Sequence, residues 1–283
     1  MPDSNEGSGN ALEIYKSLEE RDMRILTIGD VVGDSGTEAV CARLEEIKAH
    51  FSADFCIVNG ENACSANGIS RRKAEMLLAA GADVLTLGNH TFRQKDAASL
   101  LTHNDRVIRP INYPPETVGR GVGVFEKDGV KIAVFNALGR IYLDNVDCPF
   151  RALLGALEQT EADIKIVDFH AEATSEKRAM GYFLDGKASV VFGTHTHVQT
   201  ADLQILPKGT GYITDIGMSG PHHSCLGVDK NIVIDRFVTA MPHRFELADS
   251  PARIDGAVFT IDEACGKCTG GEIFSLLPGG RYD

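Results

Sequence analysis

The sequence has 283 residues, of which 43% are hydrophobic and 24% are charged, the balance of a globular protein long enough to bury a sizeable core. Its formal net charge of −12 argues against a broad basic face that would grip duplex nucleic acid. No apolar run approaches the roughly 18 residues needed to cross a bilayer, so we expect neither a membrane nor a duplex nucleic acid as a partner.

The N-terminal segment 1–22 is polar and acidic, with one weak helical pattern at 11–18. We expect a polar tail or a short helix there. It lacks the basic start and apolar stretch of a signal peptide. The seven cysteines are an odd number without the spacing of a disulfide framework, which fits a reducing compartment and predicts a cytoplasmic location. Because no linker or low-complexity stretch follows, we expect residues 23–283 to form a single domain.

From residue 24 onward, apolar strands alternate with helical segments. The predicted strands are 25–28, 55–58, 84–87, 107–109, 123–126, 131–136, 165–168, 189–192, 211–214, 231–239 and 256–262. The predicted helices are 36–50, 70–80, 94–103, 148–161 and 176–184. Several strands are almost entirely apolar and β-branched, as is typical of strands covered on both faces. A hairpin turn at 126–129, next to βαβ units, indicates a mixed sheet or two packed sheets.

One local pattern recurs at the ends of predicted strands: a glycine followed by polar residues that can bind a metal ion. It occurs as Gly29-Asp30, Gly60-Glu61-Asn62, Gly88-Asn89-His90 and Gly193-Thr194-His195-Thr196-His197, and His170 follows strand 165–168 without the glycine. In sheets with helical crossovers, ligands lie beyond the carboxyl ends of the strands. Glycine at these points lets the backbones approach closely. The pattern therefore predicts that these side chains meet at one edge.

The residue types in this pattern indicate metal chemistry. Carboxylate, carboxamide and imidazole groups suit manganese, iron, zinc or magnesium, and no cysteine belongs to the set. Two cations held roughly 3.5–4 Å apart can bridge an activated hydroxide and bind the phosphoryl oxygens. Each residue alone has a plainer interpretation: a core or surface histidine, a helix cap for Asp30, or turn residues for the asparagines. Recurrence at five strand ends favours a two-metal phosphoesterase.

The order of the motifs resembles the calcineurin-like metallophosphoesterase superfamily and, within it, the bacterial YmdB-type family of cyclic-nucleotide phosphodiesterases. The stretches that carry the resemblance lie within 25–221 and read IGDVVGDSG, VNGENA with NGI, LGNHTF, FNALGR, DFHAEATSEK, VFGTHTHVQTAD and TDIGMSGP. The resemblance implies a metallo-dependent phosphatase fold, with two packed mixed β-sheets flanked by helices in four α/β/β/α layers. It also implies hydrolysis of 2′,3′-cyclic nucleotides or similar small phosphoesters through a metal-bridging hydroxide.

The same resemblance implies a role for each residue of the pattern. Two divalent or trivalent metal ions are expected, with iron or manganese favoured over zinc or magnesium. One ion is expected on Asp30, Glu61, Asn62 and His197, and the other on Asn89, His170 and His195 with Glu61 as the shared bridge. His90 is expected to be the general acid that protonates the departing oxygen.

Two positions depart from the superfamily pattern. Val32 stands where most members have a histidine, and Asn62 is expected to supply the missing ligand. Thr91 stands where an acidic residue usually follows the Gly-Asn-His motif. No carboxylate at that position would orient the His90 ring, which weakens the general-acid assignment more than the metal assignment.

Other functions remain open at this point. A broad-specificity phosphatase or 5′-nucleotidase would use the same ligands, and so would a slow-turnover nucleotide-sensing regulatory protein. The retained His90 favours an enzyme. A homo-oligomer is compatible with the sequence. The glycines at 29, 33 and 36 do not have dinucleotide-fingerprint spacing, and we interpret the cysteines at 265 and 268 as parts of a hairpin loop.

Overall fold

The computed structural model describes residues 22–65 and 67–283. The predicted tail at 1–22 therefore lies outside the described residues, except for Asp22, which begins the first strand. The strands are β1 Asp22–Ile28, β2 Asp30–Val31, β3 Phe55–Asn59, β4 Val84–Thr86, β5 Val107–Ile108, β6 Val122–Lys127, β7 Val130–Leu138, β8 Ile164–His170, β9 Val190–Thr194, β10 Gln204–Ile205, β11 Gly211–Ile213, β12 Met218–Pro221, β13 Ala252–Asp262 and β14 Lys267–Leu276. The helices are α1 Gly33–His50, α2 Arg71–Ala79, α3 Ala97–His103, α4 Pro149–Gln159, α5 Thr174–Leu184 and α6 Lys230–Thr239.

These strands form two mixed sheets. The first has the order β2-β12-β13-β1-β3-β4-β5, and β14 also pairs with β13. In it, β1, β3, β4 and β5 are parallel, whereas β13 runs antiparallel to β1, β12 and β14. The second sheet has the order β10-β11-β9-β8-β7-β6, with parallel strands at its centre and an antiparallel strand at each edge.

Three apolar clusters show how the layers stack. One joins β1, β3 and β4 to α1, α2 and α3. The second fills the space between the sheets, where Ile25 and Phe55 of the first sheet meet Ile166 and Phe192 of the second. The third packs α4 and α5 against the outer face of β7, β8 and β9. Strands buried on both faces are apolar throughout. The predicted four-layer α/β/β/α arrangement with two packed mixed sheets is confirmed.

The local turn and cap chemistry explains several boundaries. Asp128 and Gly129 both have positive φ, 51° and 87°, in the two-residue turn that joins β6 to β7, as the predicted hairpin requires. Ser70 caps α2 by accepting from the backbone N–H of Lys73, which satisfies one of the free donors of the first turn. The last hairpin, β13 to β14, contains Cys265 and Cys268, both free thiols. The predicted hairpin is confirmed, with Cys265 in its loop, but Cys268 lies within β14 and pairs with Ile261.

The predicted strand at 231–239 is wrong, because this segment is helix α6. Its apolar and β-branched residues favoured a strand, but that preference depends on packing against a sheet. No residue of α6 is buried, and the Asp229 side chain accepts from the backbone N–H groups of Asn231 and Ile232. The Asp229 cap therefore favours the start of a helix at this point.

Within 22–65 and 67–283, no helix is both long and apolar enough to span a membrane.

Candidate metal centre

The structure brings the eight predicted site residues to one edge shared by the two sheets. In the first sheet, the parallel strands β1, β3 and β4 end just before Asp30, Glu61 and Asn89. In the second, the adjacent parallel strands β8 and β9 end at His170 and just before His195. Because the carboxyl ends of parallel strands lie at one edge, ligands that are far apart in sequence become neighbours.

One group of donor atoms surrounds the Nε2 atom of His170. This atom lies 2.9 Å from Oε1 of Glu61, 3.2 Å from Oδ1 of Asn89 and 3.0 Å from Nδ1 of His195. The ligand atoms of Glu61, His170 and His195 all lie within 4.8 Å of one another. Glu61 and His170 are fully buried, so water does not separate these groups.

The other side of the His170 ring decides which atom carries its proton. Nδ1 lies 2.8 Å from the hydroxyl oxygen of Thr194, and that hydroxyl donates at 2.7 Å to the buried carboxylate of Asp168. With its hydrogen directed to Asp168, the Thr194 oxygen accepts from His170 Nδ1. In the neutral ring, Nε2 then presents a lone pair to two oxygens and a second imidazole. Such a convergence of lone pairs fits a cation. A hydrogen bond like the one from His170 Nδ1 to Thr194 commonly orients a metal-binding histidine.

The pKa values of the ionisable groups in this cluster depend on one another. Burial alone would lower the pKa of His170, but the adjacent Glu61 carboxylate raises it to about 9. Burial by itself would raise the pKa of Glu61, yet the His170 and His90 rings hold it well below its usual range. Burial and then the neighbouring His170 lower the pKa of His195 to about 3. A proton held between Glu61 and His170 thus supplies positive charge at the point where the donor atoms would place a cation.

A second group of donor atoms adjoins the first through Glu61. The Nδ2 atom of Asn62 lies 3.2 Å from Oε1 of Glu61 and 3.2 Å from Nε2 of His197. His197 Nδ1 lies 3.0 Å from the carbonyl oxygen of Leu226, so it donates there and leaves Nε2 as an acceptor. The nearest oxygen of Asp30 to this ring, Oδ1, is 3.7 Å from Nε2.

Asp30 supplies a further sign that the site is built for a cation. Its Oδ2 accepts from the backbone N–H of His195 at 3.0 Å. Its Oδ1 is buried and has no hydrogen-bond partner within the described part of the chain. Burial raises the pKa of this carboxyl group, since an ionised oxygen without a partner is costly in the protein interior. A metal ion at this oxygen would remove that cost, so the oxygen and nitrogen donors present fit metal ions.

The loop that carries His195 and His197 has an unusual backbone. Both residues have positive φ, 99° and 61°, a conformation that persists in non-glycine residues only when the surroundings enforce it. A fully buried ion pair lies beneath them: Lys177 donates to the Thr194 carbonyl at 2.7 Å and to Asp215 at 2.6 Å. The same Asp215 oxygen accepts from the backbone N–H and the hydroxyl of Thr196. This pair fixes the loop between the two histidines.

Gly88 makes the close approach of the ligands possible. A Cβ at this position would overlap Oε2 of Glu61 and the imidazole of His170. Both groups are buried and held by other contacts, so they have no room to move aside. Glycine before Asn89 is therefore required by the packing of the site, as the sequence pattern predicted.

His90 lies beside the ligands and reaches the cleft. Its Nδ1 is 2.9 Å from Oδ1 of Asn62, and its Nε2 is 3.3 Å from Nδ2 of Asn67. Thr91, which replaces the usual acidic residue, donates its buried hydroxyl to the Gly88 carbonyl. The cleft in front of the ligands has a volume of about 300 Å³ and is lined by Glu61, His90, His195 and His197 among others.

Several supporting residues were not assigned roles from the sequence. They are Asn67, Asp168, Glu172, Lys177, Thr194 and Asp215. Most lie inside the motif stretches, so their position in the motifs was the available signal. Glu172 places Oε2 at 3.2 Å from Nε2 of His195. His222 lies outside the ligand cleft and lines another cavity together with Arg253.

Comparisons with known proteins agree with this architecture. The YmdB-like protein family model matches residues 26–273. The chain is 43% identical over 247 residues to the 2′,3′-cyclic-nucleotide 2′-phosphodiesterase of Bacillus subtilis (strain 168), covering 87% of this chain and 94% of that protein. A crystal structure described as a novel phosphatase from Mycoplasma pneumoniae superposes with a TM-score of 0.86 at 35% identity, covering 91% of this chain and 94% of that one.

A more distant structure shows the fold alone. The 5′-nucleotidase precursor from Thermus thermophilus has a TM-score of 0.55 at 12% identity, covering 91% of this chain and 54% of that one. The metallophosphoesterase fold implied by the motifs is confirmed, and so is the resemblance that they carried. The chain belongs to the family of YmdB-like proteins.

Proposed function

We propose that the protein is a two-metal phosphodiesterase that opens 2′,3′-cyclic nucleotides. The observation that carries the proposal is the convergence of lone pairs on the two sides of Glu61. On one side lies the Nε2 atom of His170, and on the other lies the unpartnered Oδ1 of Asp30. The name of the Bacillus subtilis relative supplies the substrate class.

In this proposal, seven side chains hold the metal ions. Glu61 would be the shared ligand, one ion would be held by Asn89, His170 and His195, and the other would be held by Asp30, Asn62 and His197. Two bound cations would supply Lewis acidity toward the phosphoryl oxygens and lower the pKa of the attacking water. Because all donors are oxygen or nitrogen, iron or manganese suits the site better than a thiolate-binding metal.

His90 would act as the general acid. Its Nδ1 is engaged by Asn62 and Glu61, so Nε2 is the atom that faces the cleft. From there it would deliver a proton to the ribose O2′ as the bond between phosphorus and that oxygen breaks. The product would be a nucleoside 3′-phosphate. A positioned acid of this kind contributes about 10²–10⁴-fold in rate.

Charge and size support a small substrate. A cyclic phosphodiester carries one negative charge, which two partly neutralised cations attract without a basic groove. The chain has a net charge of −12, which disfavours a long polyanion, and the cleft at the ligands measures only about 300 Å³. Because the site is preorganised, its side chains would need little rearrangement to hold the strained five-membered ring of the cyclic phosphate.

Two measurements test the proposal. Treatment with EDTA should abolish hydrolysis, and Mn²⁺ or Fe²⁺ should restore it; full activity of metal-free protein would refute the two-metal site. At equal metal loading, kcat/KM should be highest for 2′,3′-cAMP in a panel with 3′,5′-cAMP, 5′-AMP and a short single-stranded RNA. A large preference for 5′-AMP would identify a nucleotidase instead. Tight binding without turnover would identify a nucleotide sensor.

A further inference from the structure

A larger cavity adjoins the ligand cleft. It has a volume of about 610 Å³, within the range of sites for small organic ligands, and its walls include Asn67, Val228, Arg244 and Phe245. Asn67 also lines the ligand cleft, where its Nδ2 lies 3.3 Å from the Nε2 atom of His90. Asn67 therefore borders both the ligand cleft and this second space.

Phe245 is the aromatic residue among those that line the cavity, and Val228 and Leu247 are its aliphatic neighbours there. It is 46% exposed, although it is a large aromatic side chain. The guanidinium of Arg236 lies over the ring, with Cζ 4.9 Å from the centroid. This cation–π contact holds the ring from one face, while the ring also borders the open cavity. An aromatic ring fixed in this way offers a flat surface on which a base can stack.

The wall that carries Phe245 is held by backbone hydrogen bonds. Val228 and Leu247 form an antiparallel bridge, and the Ala248 N–H donates to the Gly227 carbonyl at 2.9 Å. The adjoining residue Leu226 accepts from His197 in the ligand cleft. The aromatic wall and the metal-binding loop are thus joined through one short segment, which fixes the position of the ring relative to the ligands.

We propose that this cavity is the nucleobase subsite of the enzyme, with the base stacked on Phe245. The proposal rests on the proposed function, which places the cyclic phosphate at the ligands. The ribose lies between phosphate and base in the substrate, just as Asn67 lies between His90 and the cavity. The subsite takes an aromatic, uncharged base, so the acidic charge of the chain does not oppose its binding.

The test compares two cyclic esters that differ only in the base. One is 2′,3′-cAMP, and the other is methyl β-ribofuranoside 2′,3′-cyclic phosphate. We expect the wild-type enzyme to prefer 2′,3′-cAMP by roughly 10-fold or more in kcat/KM, which is the scale of one base stacked on an aromatic ring. Phe245→Ala should remove most of this preference through KM with little change in kcat, and Phe245→Tyr should keep it. Phe237→Ala removes another exposed phenylalanine, 83% exposed, and should leave the preference unchanged.

The outcomes distinguish a failure of the subsite proposal from a failure of the proposed function. If Phe245→Ala slows both esters equally or keeps the preference, the nucleobase subsite is refuted while the phosphodiesterase stands. If neither ester is hydrolysed by the wild-type enzyme, the proposed function fails instead. The subsite is then judged by calorimetric binding of adenosine 3′-phosphate, which should be roughly 10-fold weaker in Phe245→Ala than in the wild-type protein. Equal binding by the two proteins would refute it.

Discussion

The backbone N–H of His90 donates to Oε2 of Glu61 at 3.0 Å, and the His90 ring places Nδ1 at 3.3 Å from Oε1 of the same carboxylate. The proposed general acid is therefore held by the proposed bridging ligand. Thr91 leaves His90 without the acidic neighbour usual in the superfamily, but Glu61 and Asn62 take over the contact with Nδ1. Changing Glu61 should therefore disturb the acid as well, whereas His90 is not itself one of the proposed ligands.

Removing the charge of the bridge should empty the site. Glu61→Gln keeps the shape of the side chain but removes the negative charge that two cations would share. We expect metal affinity to fall by more than the roughly 10–100-fold seen when only a supporting residue is changed, with activity falling in parallel. Metal content by mass spectrometry and turnover are measured together. Glu38→Gln, on the exposed side of α1, is the control, and two bound ions with normal turnover in Glu61→Gln would contradict the bridging role.

Removing His90 should separate catalysis from metal binding. His90→Ala is expected to retain both ions but to lose about 10²–10⁴-fold in rate on substrates whose leaving oxygen needs a proton. The loss should be much smaller for p-nitrophenyl esters, because p-nitrophenolate leaves without protonation. His103→Ala changes an exposed histidine of α3 and should alter neither rate. An equal loss on both kinds of substrate would speak against the acid role.

The hydroxyl of Thr194 should matter for metal affinity rather than for folding alone. Thr194→Val breaks the chain that runs from His170 through Thr194 to Asp168, so the His170 ring loses its preferred tautomer. We expect metal affinity to fall roughly 10–100-fold, measured by competition with a chelator. Thr27→Val also removes a buried hydroxyl, one that donates to the Ala257 carbonyl in β13. If both variants bind metal equally well, Thr194 has no role in orienting His170.

Two glycine-to-alanine substitutions should differ in outcome: one should prevent metal binding, and the other should stabilise the protein. Gly88→Ala places a methyl group against Glu61 and His170, so it should abolish metal binding even if the protein remains folded. Gly155→Ala adds the same group in α4, where nothing lies within 4 Å of the new Cβ. It should stabilise the protein by about 0.4–1 kcal/mol, because alanine restricts the unfolded chain. Urea denaturation and metal titration measure the two effects, and normal metal binding by Gly88→Ala would show that the site tolerates expansion.

The sequence by itself determined the strand-end pattern and the presence of buried mixed β-structure, whereas the four-layer arrangement was implied by the family resemblance. Apolar strands separated by amphipathic helices require a buried sheet, and glycine followed by Asp, Glu, Asn or His marks strand ends where ligands can meet. The predicted strand at 231–239 shows the limit of that reasoning. Its residues have strand propensity, but a strand also needs a neighbouring strand with which to pair. The side chain of Asp229 caps the first turn of a helix there instead.

Only the tertiary structure decided which atoms of these residues face one another. The pairing of Glu61 with both His170 and His90, the unpartnered oxygen of Asp30 and the tautomer of His170 depend on contacts between segments more than 20 residues apart. The buried Lys177–Asp215 pair beneath the histidine loop and the position of Phe245 beside the cleft arise in the same way. The sequence shows which residue types are available at the strand ends. The packing of the two sheets sets their distances, burial and proton positions, on which metal binding and catalysis depend.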